Sequence, residues 1–296
     1  MTPVAPLLAF AVATAGIAVF SGMDAIMKGL VLGIGAYSAL FWRNVVGVAV
    51  SGVPYLLRPR PPLSREGMRL HIMRGIVTAV MSWLFFWGLA RVPMAQAIAL
   101  SHIAPLMSLF LAAWLLGERI SRRTVTASVL AFAGVLVIMA GQAQNDLGPD
   151  AFRGALAILA SACCYAWNII VMRRQSLLTG PAEIAFFQSL VVAIVFAIGA
   201  PWFAQWPAGE WVEIAGAAVL AVVSLALLGW AYAHAPASVL APSEYTAFVW
   251  ASILGFLVFG ERVSGWTLAG AVLIIGACLW AATGRHAQPV AEAALP

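Results

Sequence analysis

Residues 211–232 read WVEIAGAAVLAVVSLALLGWAY, a run whose only charge is Glu213. A helix needs ~20 apolar residues to cross the hydrocarbon of a bilayer, and a water-soluble surface is not built from such a run. The apolar residues are continuous rather than alternating, so the stretch reads as a helix and not as a barrel strand, whose faces would alternate. The same reading applies to 7–27, 36–57, 70–90, 94–116, 123–141, 152–172, 182–203, 238–259 and 266–283. Composition agrees: 63% of the 296 residues are hydrophobic and 9% charged, against ~25% charged in soluble domains. The expectation is an all-α membrane protein of ten transmembrane helices.

The net charge of +5 is a topology signal, not a sign of nucleic acid. With a cytoplasmic N-terminus, the loops on that side hold Arg58, Arg60, Arg65, Arg69, Arg119, Arg122, Arg123, Arg173, Arg174 and Arg285. The other side holds Lys28, Arg91, Arg153 and Arg262, while Arg43 and Arg74 fall inside helices. This positive-inside bias puts both termini in the cytoplasm, of a cytoplasmic (inner) membrane protein. The start MTPVAPLLAF has no basic residue before its apolar run, so it reads as a retained first helix. Cys163, Cys164 and Cys278 sit inside expected helices at no metal-ligand spacing and read as packing residues.

The chain contains itself twice. A shift of 143 lays Pro93 on Pro236, Trp87 on Trp230, Thr124 on Thr267 and Gly117-Glu118-Arg119 on Gly260-Glu261-Arg262. A shift of 145 lays Phe41-Trp42-Arg43 on Phe186-Phe187-Gln188. Each copy holds five crossings, an odd number, so the second copy enters the membrane from the opposite side. The expected domains are residues 1–145, residues 146–285 inverted relative to them, and a cytoplasmic tail, 286–296; the polar linker is GQAQNDLGPD, 141–150.

A five-helix half with Pro105 in its fourth crossing, Gly-Glu-Arg at 117–119 after it and Phe41-Trp42-Arg43 in its second crossing resembles the EamA-type repeat. Two such repeats resemble the drug/metabolite transporter superfamily across 7–283. Within it, the aromatic residues and cytoplasmic termini most resemble bacterial amino-acid exporters, including those for aromatic amino acids. Gln188 in place of the arginine, and Phe248 where Pro105 would be, break the symmetry of the repeats.

Polar residues inside membrane helices are costly and therefore informative. Asp24 and Lys28 form an i,i+4 pair in the first crossing, with Arg43 of the second within reach. The three read as one charge cluster, either a structural ion pair or a gate. Arg74 reads as snorkelling to lipid phosphates. Trp83 and Trp87 suit an interfacial belt or a cavity wall equally. Ser161, Tyr165 and Asn168 share a face of the sixth crossing, with Trp167 beside them. The shift of 143 superposes Ser101-His102 on Glu244-Tyr245, with Pro105 and Pro242 nearby to free backbone carbonyls. Trp83, Trp87, Ser101, His102, Tyr165, Trp167, Asn168, Glu244 and Tyr245 are the expected substrate-binding set.

No nucleotide-binding Gly-rich loop and no His-Glu-x-x-His appear. The expectation is no catalytic residue, no metal and no cofactor: a secondary transporter, not an enzyme. It would export or exchange a small amphipathic metabolite, amino acids including aromatic ones, by alternating access. Rival readings are transport of a nucleoside, vitamin or drug-like cation, a membrane scaffold, or an intramembrane enzyme. The expected partners are a small-molecule substrate and membrane lipids, with the chain a monomer or homodimer and no nucleic acid involved.

Overall fold

The computed structural model describes residues 6–57, 64–116, 122–144, 148–235, 240 and 243–283, and every regular element among them is an α-helix. In chain order they are α1 (Pro6–Leu57), α2 (Arg65–Leu89), α3 (Met94–Ser101), α4 (Ala104–Leu116), α5 (Arg122–Gln144), α6 (Gly148–Leu178), α7 (Pro181–Phe203), α8 (Trp211–His234), α9 (Thr246–Phe259) and α10 (Gly265–Thr283). Glu118, Asn145, Pro236, Pro242 and the tail lie outside the described residues.

Helix α1 has 52 residues, which at 1.5 Å each would span ~78 Å, far beyond the ~30 Å of bilayer hydrocarbon. It is two arms joined at Gly35, whose φ of 80° and ψ of 156° only glycine adopts readily. The first arm thus runs seven residues beyond the expected 27, and Lys28 belongs to a helix rather than a loop. Elsewhere the local signals act as chemistry requires. Ser64 caps α2 by accepting the Gly67 N–H at 2.9 Å, and Pro181 opens α7, where its missing N–H costs nothing.

The helices pack as antiparallel pairs. Along α5 and α10, Arg123 Nε donates to Trp280 O at 2.8 Å, Gly134 faces Gly270 and Gly141 faces Trp266. Rising numbers on one helix meet falling numbers on the other. A Cβ on Gly134 would stand 2.8 Å from Gly270 O, so only hydrogen lets the two backbones close this far. The second arm of α1 meets α7 in the same sense: the Tyr37 hydroxyl donates to Phe196 O, and Tyr55 stacks on Phe186 at 4.5 Å. The first arm meets α8, where Ser224 Oγ donates to Gly16 O at 2.8 Å and Leu228 covers Gly16. Between α2 and α6, Gly88 lies against Gly154, and Ser161 Oγ donates to Met81 O at 2.8 Å.

Large apolar side chains cover the outside, among them Val212 at 79% exposure, Trp202 at 76% and Ile198 at 73%. Such a surface is stable against lipid. Among the described residues α1, α2, α6, α7 and α8 are long and apolar enough to cross a membrane, and α5, α9 and α10 contain shorter apolar segments.

Candidate functional site

Among the described residues, three groups of interior polar side chains are each assembled from helices of both halves. The first is a helix break. Pro105 has no N–H to offer the Ser101 carbonyl, so the helix ends at Ser101, turns through His102 and Ile103, and restarts at Ala104. The expected continuous crossing 94–116 is therefore two helices. In the second half the chain turns at Tyr245 before α9, at the position the 143-residue shift predicts. The two turns meet: the His102 and Tyr245 rings stack at 5.4 Å. His102 Nδ1 bonds Ile98 O at 2.7 Å, which puts a proton on Nδ1, and Nε2 faces Glu244 O at 3.4 Å. Cys278 Sγ donates to the freed His102 carbonyl at 3.3 Å. The Glu244 carboxylate accepts the Tyr232 hydroxyl of α8 at 2.7 Å. Tyr165 of α6, 45% exposed, lies within electrostatic reach of Glu244, Tyr232 and Arg74. Aromatic faces, a carboxylate and an imidazole from α6, α8 and both helix breaks thus converge, a surface able to bind an amphipathic cation or zwitterion.

The second place lies where α2, α6 and α7 meet. Arg74 is 8% exposed, and its Nε and one terminal nitrogen donate to Asn168 Oδ1 and Gln175 Oε1, each at 2.9 Å. Asn168 Nδ2 donates to Thr78 at 3.0 Å, Gln175 Nε2 donates to His71 Nδ1 at 2.6 Å, and His71 Nε2 meets Glu183 at 2.9 Å. Because Gln175 donates to Nδ1, His71 is the Nε2–H tautomer and donates to the glutamate. The snorkelling expected of Arg74 is overturned: two amides hold its guanidinium inside the protein.

The third is a lock between the halves. Lys28 Nζ, 3% exposed as a residue, donates to Val92 O at 2.7 Å and to Glu261. Glu261 is aimed there by Gly260, a left-handed helix end with φ 68°. Its other oxygen accepts the Met94 N–H at 2.8 Å, capping α3, whose own N-cap residue is Pro93. The expected Asp24, Lys28 and Arg43 cluster therefore divides. Lys28 pairs with Glu261 instead of Asp24, while Asp24 and Arg43 stay within electrostatic reach of each other.

The expected site residues fare unequally. His102, Tyr165, Glu244 and Tyr245 come together, and Asn168 joins through Arg74. The Ser101 hydroxyl is spent on Ala97 O at 2.9 Å. Trp87 is covered by the Arg91 guanidinium, 3.6 Å from its ring centre, and Trp83 is 43% exposed. Trp87 is partly buried and packs against the core. Trp167 is half-buried. Tyr232, His71, Gln175, Glu183 and Glu261 were not on the expected list. Only Glu261 carried a signal, through its repeated Gly-Glu-Arg motif. A groove of about 640 Å³ between α4, α5 and α6 is walled by residues such as Phe110, Val129 and Phe132. It suits an acyl chain better than a polar solute. Among the described residues no three His, Cys, Asp or Glu side chains group to hold a metal.

Known proteins resemble this one along nearly its whole length. The pattern of the EamA-like transporter family matches residues 7–140 and 152–283. A pseudopaline exporter of Pseudomonas aeruginosa is 29% identical over 265 residues, covering 88% of this chain and 90% of its own. An S-adenosylmethionine uptake transporter of Rickettsia bellii is 27% identical over 216 residues, 71% of each chain. A solved crystal structure superposes with a TM-score of 0.60 at 22% identity, covering 94% of this chain and 98% of its own, and so shares the fold. This multi-pass membrane protein, a transporter of small metabolites and not an enzyme, belongs to the EamA-like transporter family.

Proposed function

We propose that the chain exports or exchanges small amphipathic metabolites, foremost amino acids including aromatic ones, across the cytoplasmic membrane. It does so by alternating access. In this reading ten crossings form two inverted five-helix halves, 1–145 and 146–285, with both termini and the 286–296 tail in the cytoplasm. The antiparallel pairing of α5 with α10, and of the second arm of α1 with α7, supports the inversion, because each pair consists of corresponding helices of the two repeats. The arginines of the α2 and α5 starts support a cytoplasmic position for that face.

The observation that carries the reading is the meeting of two helix breaks at corresponding positions of the repeats, His102 on Tyr245 at 5.4 Å. Discontinuous helices at a repeat interface are where secondary transporters bind substrate and change access. His102, Tyr165, Tyr232, Glu244 and Tyr245 then contact the substrate, and the Lys28–Glu261 lock closes the outer face. One relative is named for export and another for uptake, of S-adenosylmethionine, an amino acid joined to adenosine. The chemistry common to this site and that substrate is an α-amino acid with an aromatic appendage.

Counterflow in vesicles tests the reading. Protein reconstituted with unlabelled phenylalanine or tryptophan inside should accelerate entry of the labelled compound. A channel would give no acceleration, and failure across a panel of amino acids would refute the substrate class.

A further inference from the structure

Arg74 presents an electrostatic problem that its neighbours do not solve. Among the described residues, each oxygen that it meets belongs to a neutral amide, Asn168 or Gln175, and its remaining terminal nitrogen reaches the Met172 sulfur, at 3.7 Å. Amides orient a guanidinium but leave its charge uncancelled, and a cation in a membrane interior without a counter-ion is strongly disfavoured. Glu183, the acid at the end of this hydrogen-bond chain, is spent on His71 at 2.9 Å, with His71 and Gln175 between it and Arg74. Of the five N–H donors of arginine, two point to oxygen and one to sulfur, which leaves one unspent on each terminal nitrogen. Two such donors match the two oxygens of a carboxylate.

Across Tyr165 stands the opposite case. Glu244 is exposed and accepts a hydrogen bond from a neutral phenol, Tyr232, at 2.7 Å. Tyr165 lies within electrostatic reach of both charges. One pole comes from the first repeat and the other from the second, and Tyr165 stands one turn from Asn168, the amide that holds Arg74, on α6.

We propose that Arg74 is the anion-binding residue of the transport site, and that Arg74 and Glu244 together select a zwitterion. Its carboxylate lies on the free edge of the guanidinium, its amine on Glu244, and its apolar part against Tyr165 and Tyr245. The proposal rests on the reading of the helix-break centre as the transport site. It gives the clamp on Arg74 a purpose: Asn168 and Gln175 hold the guanidinium in place and leave two of its donors for the substrate. An orientation set this way favours a planar carboxylate over a point acceptor.

The test compares three ligands that differ only in their poles: phenylalanine, 2-phenylethylamine, which lacks the carboxylate, and 3-phenylpropionate, which lacks the amine. Binding to the full chain in detergent is followed by ligand-induced thermal shift. Wild type should prefer phenylalanine to the amine by about 100-fold or more, since a site built around a polar group rejects the analogue without it. Arg74→Gln should bring that ratio to about 1 while leaving affinity for 2-phenylethylamine unchanged, and should abolish 3-phenylpropionate binding. Arg74→Lys keeps the charge without the fork and should retain a preference of roughly 10-fold. It also carries the test if the glutamine variant does not fold. If Arg74→Gln weakens phenylalanine and 2-phenylethylamine equally, or keeps the wild-type ratio, Arg74 merely joins α2 to α6 and the proposal fails with the transport site intact. If none of the three ligands binds wild type, the substrate class itself is wrong and both readings fall.

Discussion

Removing the Glu261 carboxylate tests the lock at its most loaded point. In Glu261→Ala, Lys28 stays buried at 3% exposure with only the Val92 carbonyl as partner, and the Met94 N–H loses its acceptor. Taking one member from a buried ion pair costs ~3–5 kcal/mol, and losing a helix N-cap adds ~1 kcal/mol. The single substitution should therefore destabilise by about 4–6 kcal/mol. In the double variant Lys28→Met/Glu261→Met no charge remains stranded, and the residual loss should be about 1–2 kcal/mol, chiefly the missing cap. Lys28→Met alone should cost less than Glu261→Ala, because the surviving carboxylate is 19% exposed and keeps its bond to Met94. Denaturation in mixed detergent–SDS micelles gives all four corners of the cycle. If the double variant is as unstable as Glu261→Ala, the charges are uncoupled and packing alone explains the contact.

Gly35→Ala should cost ~1–3 kcal/mol in the same assay, although its Cβ would meet nothing within 4 Å, because the strain is in its φ of 80°. Gly88→Ala should lose ~1–3 kcal/mol for the opposite reason: its Cβ would stand 2.6 Å from Gly154 O in the α2–α6 contact. Gly29→Ala, with open space around it, is the control and should not destabilise. In a cysteine-free background, an impermeant thiol reagent added outside intact cells should label Gly209→Cys and miss Glu66→Cys; the reverse pattern would overturn the proposed topology. Glu244→Gln preserves an acceptor for Tyr232 while removing the charge. In vesicles it should exchange phenylalanine more weakly, because the amine has lost its charged partner, and should lose its response to an imposed pH gradient; an unchanged response would show that Glu244 does not couple protons.

Helix positions were legible because lipid imposes a one-dimensional rule, about twenty apolar residues per crossing. The repeat was legible because the same residues recur in register, Trp87 with Trp230 and Gly117-Glu118-Arg119 with Gly260-Glu261-Arg262, and the family pattern matches twice, over 7–140 and 152–283. The helix break at His102 was half-legible: Pro105 announced the lost donor, but sequence does not say whether a proline kinks a helix or ends it. Lys28 was misassigned for a different reason. Its neighbour Asp24 is one turn away, whereas its partner is Glu261, 233 residues along the chain, and nothing local ranks the two. Arg74 failed in the same manner. Sequence gave its depth in α2, but the amides that hold it belong to α6 of the other half. Tyr232 lies two residues before the end of an apolar helix, and nothing in its own stretch of sequence points to Glu244. Only the return of α8 toward the second break brings it to Glu244.

The same interleaving governs how the molecule is made. The first arm of α1 finds its close partner in α8: the Ser224–Gly16 bond spans 208 residues, and the Lys28–Glu261 bond spans 233. At ribosomal speeds of ~5–20 residues per second, the first helix waits about 10–40 s in the bilayer before α8 exists. Throughout that interval Lys28 sits in a helix whose charged partner, Glu261, has not been synthesised, whereas Asp24 meets Arg43 as soon as the second arm of α1 follows. Biogenesis therefore cannot proceed one half at a time. The nascent chain must shelter the Lys28 ammonium, beside the insertion machinery or by water drawn into the membrane, until its last hundred residues arrive.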